Sequence, residues 1–289
     1  MKAGRLRSAA VKAVCLLGSL AMMAGTAAAE GSAETLRVMF LDVGKGDCIL
    51  VSRGDSHVLI DTGYAETAPA VTAALRSAGA DRLEALILTH YDRDHIGGVQ
   101  GILEAFPTEQ VYLPGYTGEG RNYTSTLYAV QASGVPAQSV TEDVSFEANG
   151  VRFDIYATRV AYIPEQGKEE GNDNDTSLVI GMTWGADSYL FAGDIEKEGI
   201  AAYLAAGHGT YDVVKMPHHG QNESNSDEFI EQVRMKIAVI TDSEEEPTKK
   251  KMFKQLDAAG AEVYTSAGNG RITVTSSGDG VYEVETERP

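Results

Sequence analysis

The chain is 289 residues long and acidic, with 42 Asp and Glu against 24 Lys and Arg and a formal charge of −18. Such a surface repels polyanions and offers long nucleic acid no electrostatic footprint. Two cysteines, Cys15 and Cys48, leave little room for a disulfide framework.

The first 29 residues read as an export signal. Lys2, Arg5, Arg7 and Lys12 form a basic start, Ala13 to Ala24 an apolar core, and Ala27-Ala28-Ala29 an A-x-A cleavage site before Glu30. The core is too short to span a bilayer comfortably. Cys15 precedes most of it and is badly placed for a lipoprotein box. The expectation is a secreted single domain, residues 30–289, with no membrane span after cleavage; retention of the segment as an anchor is the alternative. Those 260 residues suit one two-sheet α/β domain. They hold 20 basic and 42 acidic residues, a formal −22, and Cys48 alone. No intramolecular disulfide is then possible, and stability rests on the core and any bound metal.

Thr35 to Leu41, Cys48 to Ser52 and His57 to Ile60 read as three strands joined by Gly/Asp turns, an antiparallel opening. Asp47 closes the first turn, as a turn residue or as support behind a ligand. Ala68 to Ser77 is an Ala-rich helix stopped by Gly79. It leads into Ala85 to Leu88, a buried strand, so the order implies a crossover with a helix on the sheet. His90-Tyr91-Asp92-Arg93-Asp94-His95 follows, closed by Gly97-Gly98. Four potential ligands just past a strand cannot all be buried as charges without a counter-ion. Positions 90, 92, 94 and 95 cannot share one helix face. A tight loop around a cation satisfies both constraints, and mixed imidazole and carboxylate suit zinc or a similar first-row metal.

Gly98 to Phe106 reads as a helix ended by Pro107, Val111 to Leu113 as a strand, Asn122 to Ser133 as a helix and Val151 to Ala157 as a strand. Residues 159–176 are long and polar, a length that often carries function. Tyr116, Tyr123, Tyr156 and Tyr162 lie on or near the flanking loops, as an aromatic cage for a cationic or sugar-like group or as loop packing. Tyr189 to Asp194 is an apolar strand ending in Gly-Asp, and Ile195 to Ala206 a helix. Tyr211 to Met216 is a strand that runs into Pro217-His218-His219-Gly220. Lys236 to Thr241 and Ala261 to Thr265 are strands around a helix, Pro247 to Ala259, on which Lys249-Lys250-Lys251 reads as a solvated face. Arg271 to Thr275 and Val281 to Glu285 form a closing hairpin.

The block from His90 to His95 resembles the HxHxDH signature of the metallo-β-lactamase fold, with Asp92 where the second His usually stands. That variant looks like the branch of ComEC-type competence proteins and secreted phosphorylcholine esterases. The turn before Asp47 resembles that branch's GxGD, Asp61-Thr62-Gly63 its marker near the site, Gly193-Asp194 the family's "tGD" and Pro217 to Gly220 its "PHHG". Asn174-Asp175-Thr176-Ser177-Leu178-Val179 resembles the segment standing where ordinary members supply a third His. The resemblance implies an αββα four-layer sandwich of two mixed sheets with outer helices. It implies two divalent ions, Zn²⁺ or else Mn²⁺. One is held by His90, Asp92, the bridging Asp194 and Asn174, or Asp173 or Asp175 in its place; the other by Asp94, His95, Asp194 and His219. A hydroxide between the two metals would be the nucleophile, Asp94 would position the water and His218 would serve the leaving group. The activity that the resemblance implies is exported phosphodiester or phosphoester hydrolysis, and with the acidic surface the expected partner is a small-molecule or cell-surface phosphoester. Alternatives are a ComEC-like nuclease, a non-catalytic binding module on the same fold, and a β-lactamase proper, which Asp92 disfavours. One departure is clear: Asp242 to Pro247 has no histidine where ComEC-type domains commonly carry Tyr-Gly-His-Pro.

Overall fold

The computed structural model describes residues 35–164 and 172–289; the export-signal reading of residues 1–29 lies outside them. Fifteen described strands form two mixed sheets. The first has eight: β1 Leu36–Phe40, β2 Ile49–Arg53, β3 Ser56–Ile60, β4 Leu83–Ile87, β5 Thr108–Pro114, β6 Ala137–Val140, β14 Ile272–Ser276 and β15 Tyr282–Thr286. Their order is β15-β14-β1-β2-β3-β4-β5-β6. The second has seven: β7 Val144–Ala148, β8 Val151–Tyr156, β9 Val179–Trp184, β10 Asp187–Phe191, β11 Val213–Lys215, β12 Ile237–Ile240 and β13 Glu262–Thr265. Their order is β13-β12-β11-β10-β9-β8-β7.

Each sheet is half antiparallel and half parallel. Strands β3 to β6 run parallel in one, and β10 to β13 in the other. Parallel neighbours need crossover connections, and helices provide them. These are α1 Ala68–Ser77, α2 Arg93–Ile96, α3 Val99–Ala105, α4 Gly120–Ser133, α5 Lys197–Ala206, α6 Ser226–Val233 and α7 Lys250–Ala259, with a last turn, α8, at Ser266–Asn269.

Alternation along the strands separates three apolar layers. Val38, Ile60, Ile87, Phe153, Phe191 and Val239 pack between the sheets. Leu59, Leu86, Leu75, Ile102 and Val130 pack α1, α3 and α4 on the first sheet. Leu190, Val214, Ile200, Phe229 and Leu256 pack α5, α6 and α7 on the second. The result is the expected helix–sheet–sheet–helix sandwich. Strands β6 and β7 and helix α6 stand where no element was expected. The strands are four and five residues long and each buries a single residue, and α6 has just three apolar side chains, Phe229, Ile230 and Val233, all buried.

Candidate metal centre

The carboxyl ends of the parallel strands meet at one edge of the sandwich, where open α/β sheets bind ligands. Asp61 follows β3, His90 follows β4, Asp194 follows β10, His219 follows β11 and Thr241 follows β12. The segment from His90 to Asp92 is extended, and α2 begins after Asp92. The expected loop is thus partly a single helical turn, which brings His95 back toward His90; their rings lie 4.1 Å apart.

Backbone strain gathers here. Of five described non-glycine residues at positive φ, three are Asp61, His218 and His219. Each such residue costs about 1–3 kcal/mol and persists only where its surroundings impose it. Around the His pair the impositions are visible: His218 N–H donates to Gly193 O at 3.2 Å and Met216 N–H to Val239 O at 2.8 Å. Gly220 follows at φ 72, and a Cβ there would lie 3.0 Å from Ile240 Cγ2. On the other side the turn ending in Asp47 presses against α2. A Cβ on Gly46 would sit 2.6 Å from Asp94 O, and Asp47 N–H donates to that oxygen at 3.2 Å.

The hydrogen bonds behind the three imidazoles fix their tautomers. Asp61 is fully buried and accepts from Thr89 N–H at 2.9 Å and from Thr89 Oγ1 at 2.7 Å. With its proton committed to Asp61, the Thr89 hydroxyl accepts from His90 Nδ1 at 3.0 Å. His95 Nδ1 donates directly to Asp61 Oδ2 at 2.8 Å. Thr241 repeats the device: its hydroxyl donates to Asp47 Oδ1 at 2.6 Å and accepts from His219 Nδ1 at 3.0 Å. Each ring therefore carries its proton on Nδ1 and turns the Nε2 lone pair inward.

Those inner nitrogens face carboxylates. Asp194 Oδ2 lies 2.9 Å from His219 Nε2 and 3.3 Å from His95 Nε2. Asp94 Oδ2 is 3.4 Å from His219 Nε2, and Asp92 Oδ2 is 3.7 Å from His90 Nε2. All three Nε2 atoms and Asp92 Oδ1 are buried without an aligned hydrogen bond. A lone pair against an anionic oxygen is repulsive unless a cation lies between them. Two sets fit one: His90, His95 and Asp194, and Asp94, His95 and His219, the candidate ligand atoms within each set lying within 4.8 Å of one another. The residues present therefore suit divalent metal ions.

The electrostatics agree. Burial works against a charged His95, but Asp194 and Asp61 outweigh it and raise its pKa well above the usual value. Burial likewise opposes charge on His219, and Asp194 and Asp94 raise it. Burial pushes the Asp94 carboxyl up, yet the approach of His219 and the charge on His95 hold it well below the carboxylate range. Asp194 also ends far below, burial being overcome by His219, Lys215 and His95. In this field a cation is strongly favoured; without a metal, a proton takes the position.

The remaining sequence candidates are distributed around this core. Asn174 donates to Glu196 Oε1 at 2.9 Å and lies 3.4 Å from His218 Nε2, while its own Oδ1 is buried and unbonded. Asp175 is committed elsewhere: its Oδ1 accepts from Glu196 N–H at 3.1 Å and Gly199 N–H at 2.7 Å, at the start of α5. Asp173 is buried beside the same turn. His218 sits outside the cluster, its Nδ1 3.1 Å from Glu196 and its Nε2 3.2 Å from Gln221 Nε2. Burial lowers its pKa, so near neutral pH it is an uncharged ring.

The four tyrosines follow the packing reading and do not converge as a cage. Tyr116 and Tyr162 stack at 4.9 Å, and Tyr91 lies edge-on to Tyr116 and Tyr123; Tyr156 instead stacks on His208 and bonds Tyr211. Lys249, Lys250 and Lys251 are all exposed at the start of α7, as expected of a solvated face. Lys249 precedes α7 and, with Lys45, Gln221, Glu246 and Thr248, lines a cleft of about 290 Å³ that opens on His219. The sequence reading also passed over Thr89, Thr241 and Lys215. A lysine inside an otherwise apolar strand was the available signal for the last.

Comparison with known proteins gives the family of this fold. The family model for the metallo-beta-lactamase superfamily matches residues 41–241. The ComE operon protein 3 of Bacillus subtilis is 28% identical over 224 residues, covering 71% of this chain and 28% of that protein. Recombination protein 2 of Haemophilus influenzae is 29% identical over 223 residues, 75% of this chain and 26% of that protein. The chain thus spans under a third of the length of these relatives, which are in keeping with the ComEC-type branch. Among solved structures, a metal-dependent hydrolase of the beta-lactamase superfamily, Tm1679, superposes with a TM-score of 0.54 at 15% identity, covering 87% of this chain and all of that one.

Proposed function

Because this chain belongs to the metallo-beta-lactamase superfamily, we propose that it is an exported metal-dependent hydrolase of phosphodiester or phosphoester bonds. The observation that supports it most is the set of three buried imidazole nitrogens, at His90, His95 and His219, gathered on Asp194 without aligned hydrogen bonds. In this reading His90, Asp92 and Asp194 hold one divalent ion, with Asn174 Oδ1 as a further oxygen donor. Asp94, His95, Asp194 and His219 hold the other. Zinc suits the imidazoles; the high carboxylate share makes manganese the alternative. When bound, such ions polarise a phosphoryl oxygen and acidify water near neutral pH.

The chain's own residues supply the rest. Asp94 stays ionised near neutral pH, so it orients water by accepting a hydrogen bond. His218 is uncharged there and bordered by Gln221 and Glu196, so it takes up or relays a proton and does not begin with one to give. Lys249 flanks the cleft beside His219 and attracts an anionic group, with Lys45 there paired to Glu246 at 3.1 Å, while the acidic exterior disfavours a long polyanion. A small phosphoester satisfies both conditions.

The test is to incubate the purified protein, with and without zinc or manganese, with bis-p-nitrophenyl phosphate, phosphorylcholine esters and single-stranded DNA. Metal-dependent turnover of small esters is expected. Metal-dependent DNA cutting without small-ester turnover would replace this reading with a nuclease. A second reading, a binding module on a retained hydrolase fold, draws on Asn174 standing where other members carry a histidine. One metal or none per chain, with no turnover, would favour it.

A further inference from the structure

Lys215 is fully buried at the end of β11. Val213 packs between the sheets and Val214 against the outer helices, so alternation turns Lys215 into the sandwich. Its ammonium has three N–H donors, and three acceptors surround it: Asp47 at 2.6 Å, Asp194 Oδ1 at 3.0 Å and Gly193 O at 2.9 Å. All three donors are thus held in the wall of the centre.

We propose that Lys215 is the positioning residue of the metal centre, selecting which oxygen of Asp194 faces the ligands and anchoring the Asp47–Thr241 relay behind His219. The inference rests on reading the cluster as a metal site. The two oxygens of a carboxylate are chemically equivalent and exchange by rotation. Lys215 removes the equivalence by holding Oδ1, so Oδ2 alone faces His219 and His95. Its other anionic partner, Asp47, accepts from Thr241, which accepts from His219 Nδ1. One ammonium thereby fixes Asp194 directly and His219 through two hydrogen bonds, tying the first sheet's β1–β2 turn to the second sheet. The bland alternative is that Lys215 only neutralises Asp47.

The two roles separate in zinc affinity, measured on the purified full-length protein by competition with a chromophoric chelator, with circular dichroism to follow folding. Lys215→Met leaves two buried carboxylates without their cation, so its metal-free form should melt lower than wild type. Adding Asp47→Asn removes one of those charges and should restore part of the melting temperature. Zinc affinity should remain about tenfold or more below wild type in both, the scale on which groups behind the ligands act. A folded K215M/D47N double variant that binds zinc within threefold of wild type overturns the inference and leaves the metal reading intact. A wild-type protein that binds neither zinc nor manganese overturns both. If the Met variants do not fold, the wild-type Lys215 ammonium is followed by ¹⁵N NMR as zinc is added. Displacement of its resonance supports the role; an unmoved resonance while the ligand histidines shift overturns it.

Discussion

The two sides of the centre solve one problem with different materials. On the first sheet, Asp61 orients both His90 and His95, and every partner lies within 34 residues of it. On the second, Asp47 orients only His219, through a hydroxyl 194 residues away, and shares its charge with Lys215. Both sides insert a threonine that donates to a buried aspartate and accepts from an imidazole. The first relay is local and free of lysine; the second is long-range and cationic. The difference locates where the site is built by a single loop and where it depends on the two sheets meeting correctly.

The sharpest break of that comparison is Asp61→Ala. It strips the acceptor from Thr89 N–H, Thr89 Oγ1 and His95 Nδ1 at once. Each abandoned buried donor costs about 1–3 kcal/mol, so chemical denaturation of the metal-free protein should show a loss of roughly 3 kcal/mol or more. Zinc affinity should fall by more than about 100-fold, because two imidazoles lose orientation together and each partner is worth about 10–100-fold. Asp47→Ala disorients one imidazole and should cost less affinity. Equal losses would mean that the relays do not act separately.

Replacing each threonine by valine is milder and compares the relays directly. Thr89→Val and Thr241→Val keep shape and remove the hydroxyl. Each should weaken zinc binding by about tenfold, read by chelator competition. Thr89→Val leaves His95 on Asp61 intact, whereas Thr241→Val cuts the hydrogen bond that holds His219 Nδ1. Thr241→Val should therefore be the more damaging of the two.

The same contrast explains what was legible in the sequence. Local chemistry was visible: His90, Asp92, Asp94 and His95 crowd one loop, and the strands before them follow apolar runs. Gly193-Asp194 and Pro217 to Gly220 were assigned through family resemblance, and they do lie beside that loop, with Asp194 Oδ2 reaching His95 and His219 alike. Thr241 and Lys215 were hidden because their partner, Asp47, is nearly 200 residues from one and 168 from the other, and no spacing rule spans a sandwich. Asp47 itself could be read only as a turn residue or a support. Strands β6 and β7 were missed for another reason: β6 buries Val140 alone, and β7, although Val144, Phe146 and Ala148 alternate inward, is only five residues long and fully buries Ala148 alone. Most strands and helices were legible because they rest on local apolar patterning, and the four layers that they build were expected from the family resemblance.

Proton linkage gives the next smaller effect. In the metal-free protein His95 and His219 have raised pKa values, so both hold a proton near neutral pH more firmly than a free imidazole. Zinc must expel it, so affinity should rise with pH. Calorimetry at pH 7 in two buffers of different ionisation enthalpy should show buffer-dependent heats, corresponding to about one proton or more released per chain. Heats that match in both buffers would mean that these imidazoles are already neutral and that the carboxylates around them do not act as described.

His57 supplies the reference outside both relays, and the smallest effect. It lies on β3 with Nδ1 2.9 Å from Ser52 Oγ. Burial lowers its pKa, only partly offset by Asp81 and Asp55. The sign is opposite to that of His95. The unfolded imidazole takes a proton near pH 6.5, while the folded one resists until lower pH. His57 therefore contributes stability fully above about pH 6.5, and the contribution is lost as pH falls through its folded value. Denaturant unfolding of the zinc-loaded protein at pH 7 and pH 5 should show a smaller acid-induced loss for His57→Gln than for wild type. A variant with the same acid sensitivity would mean that burial on β3 leaves this ring free to charge, and that the imidazoles of the two relays would have to be compared without it.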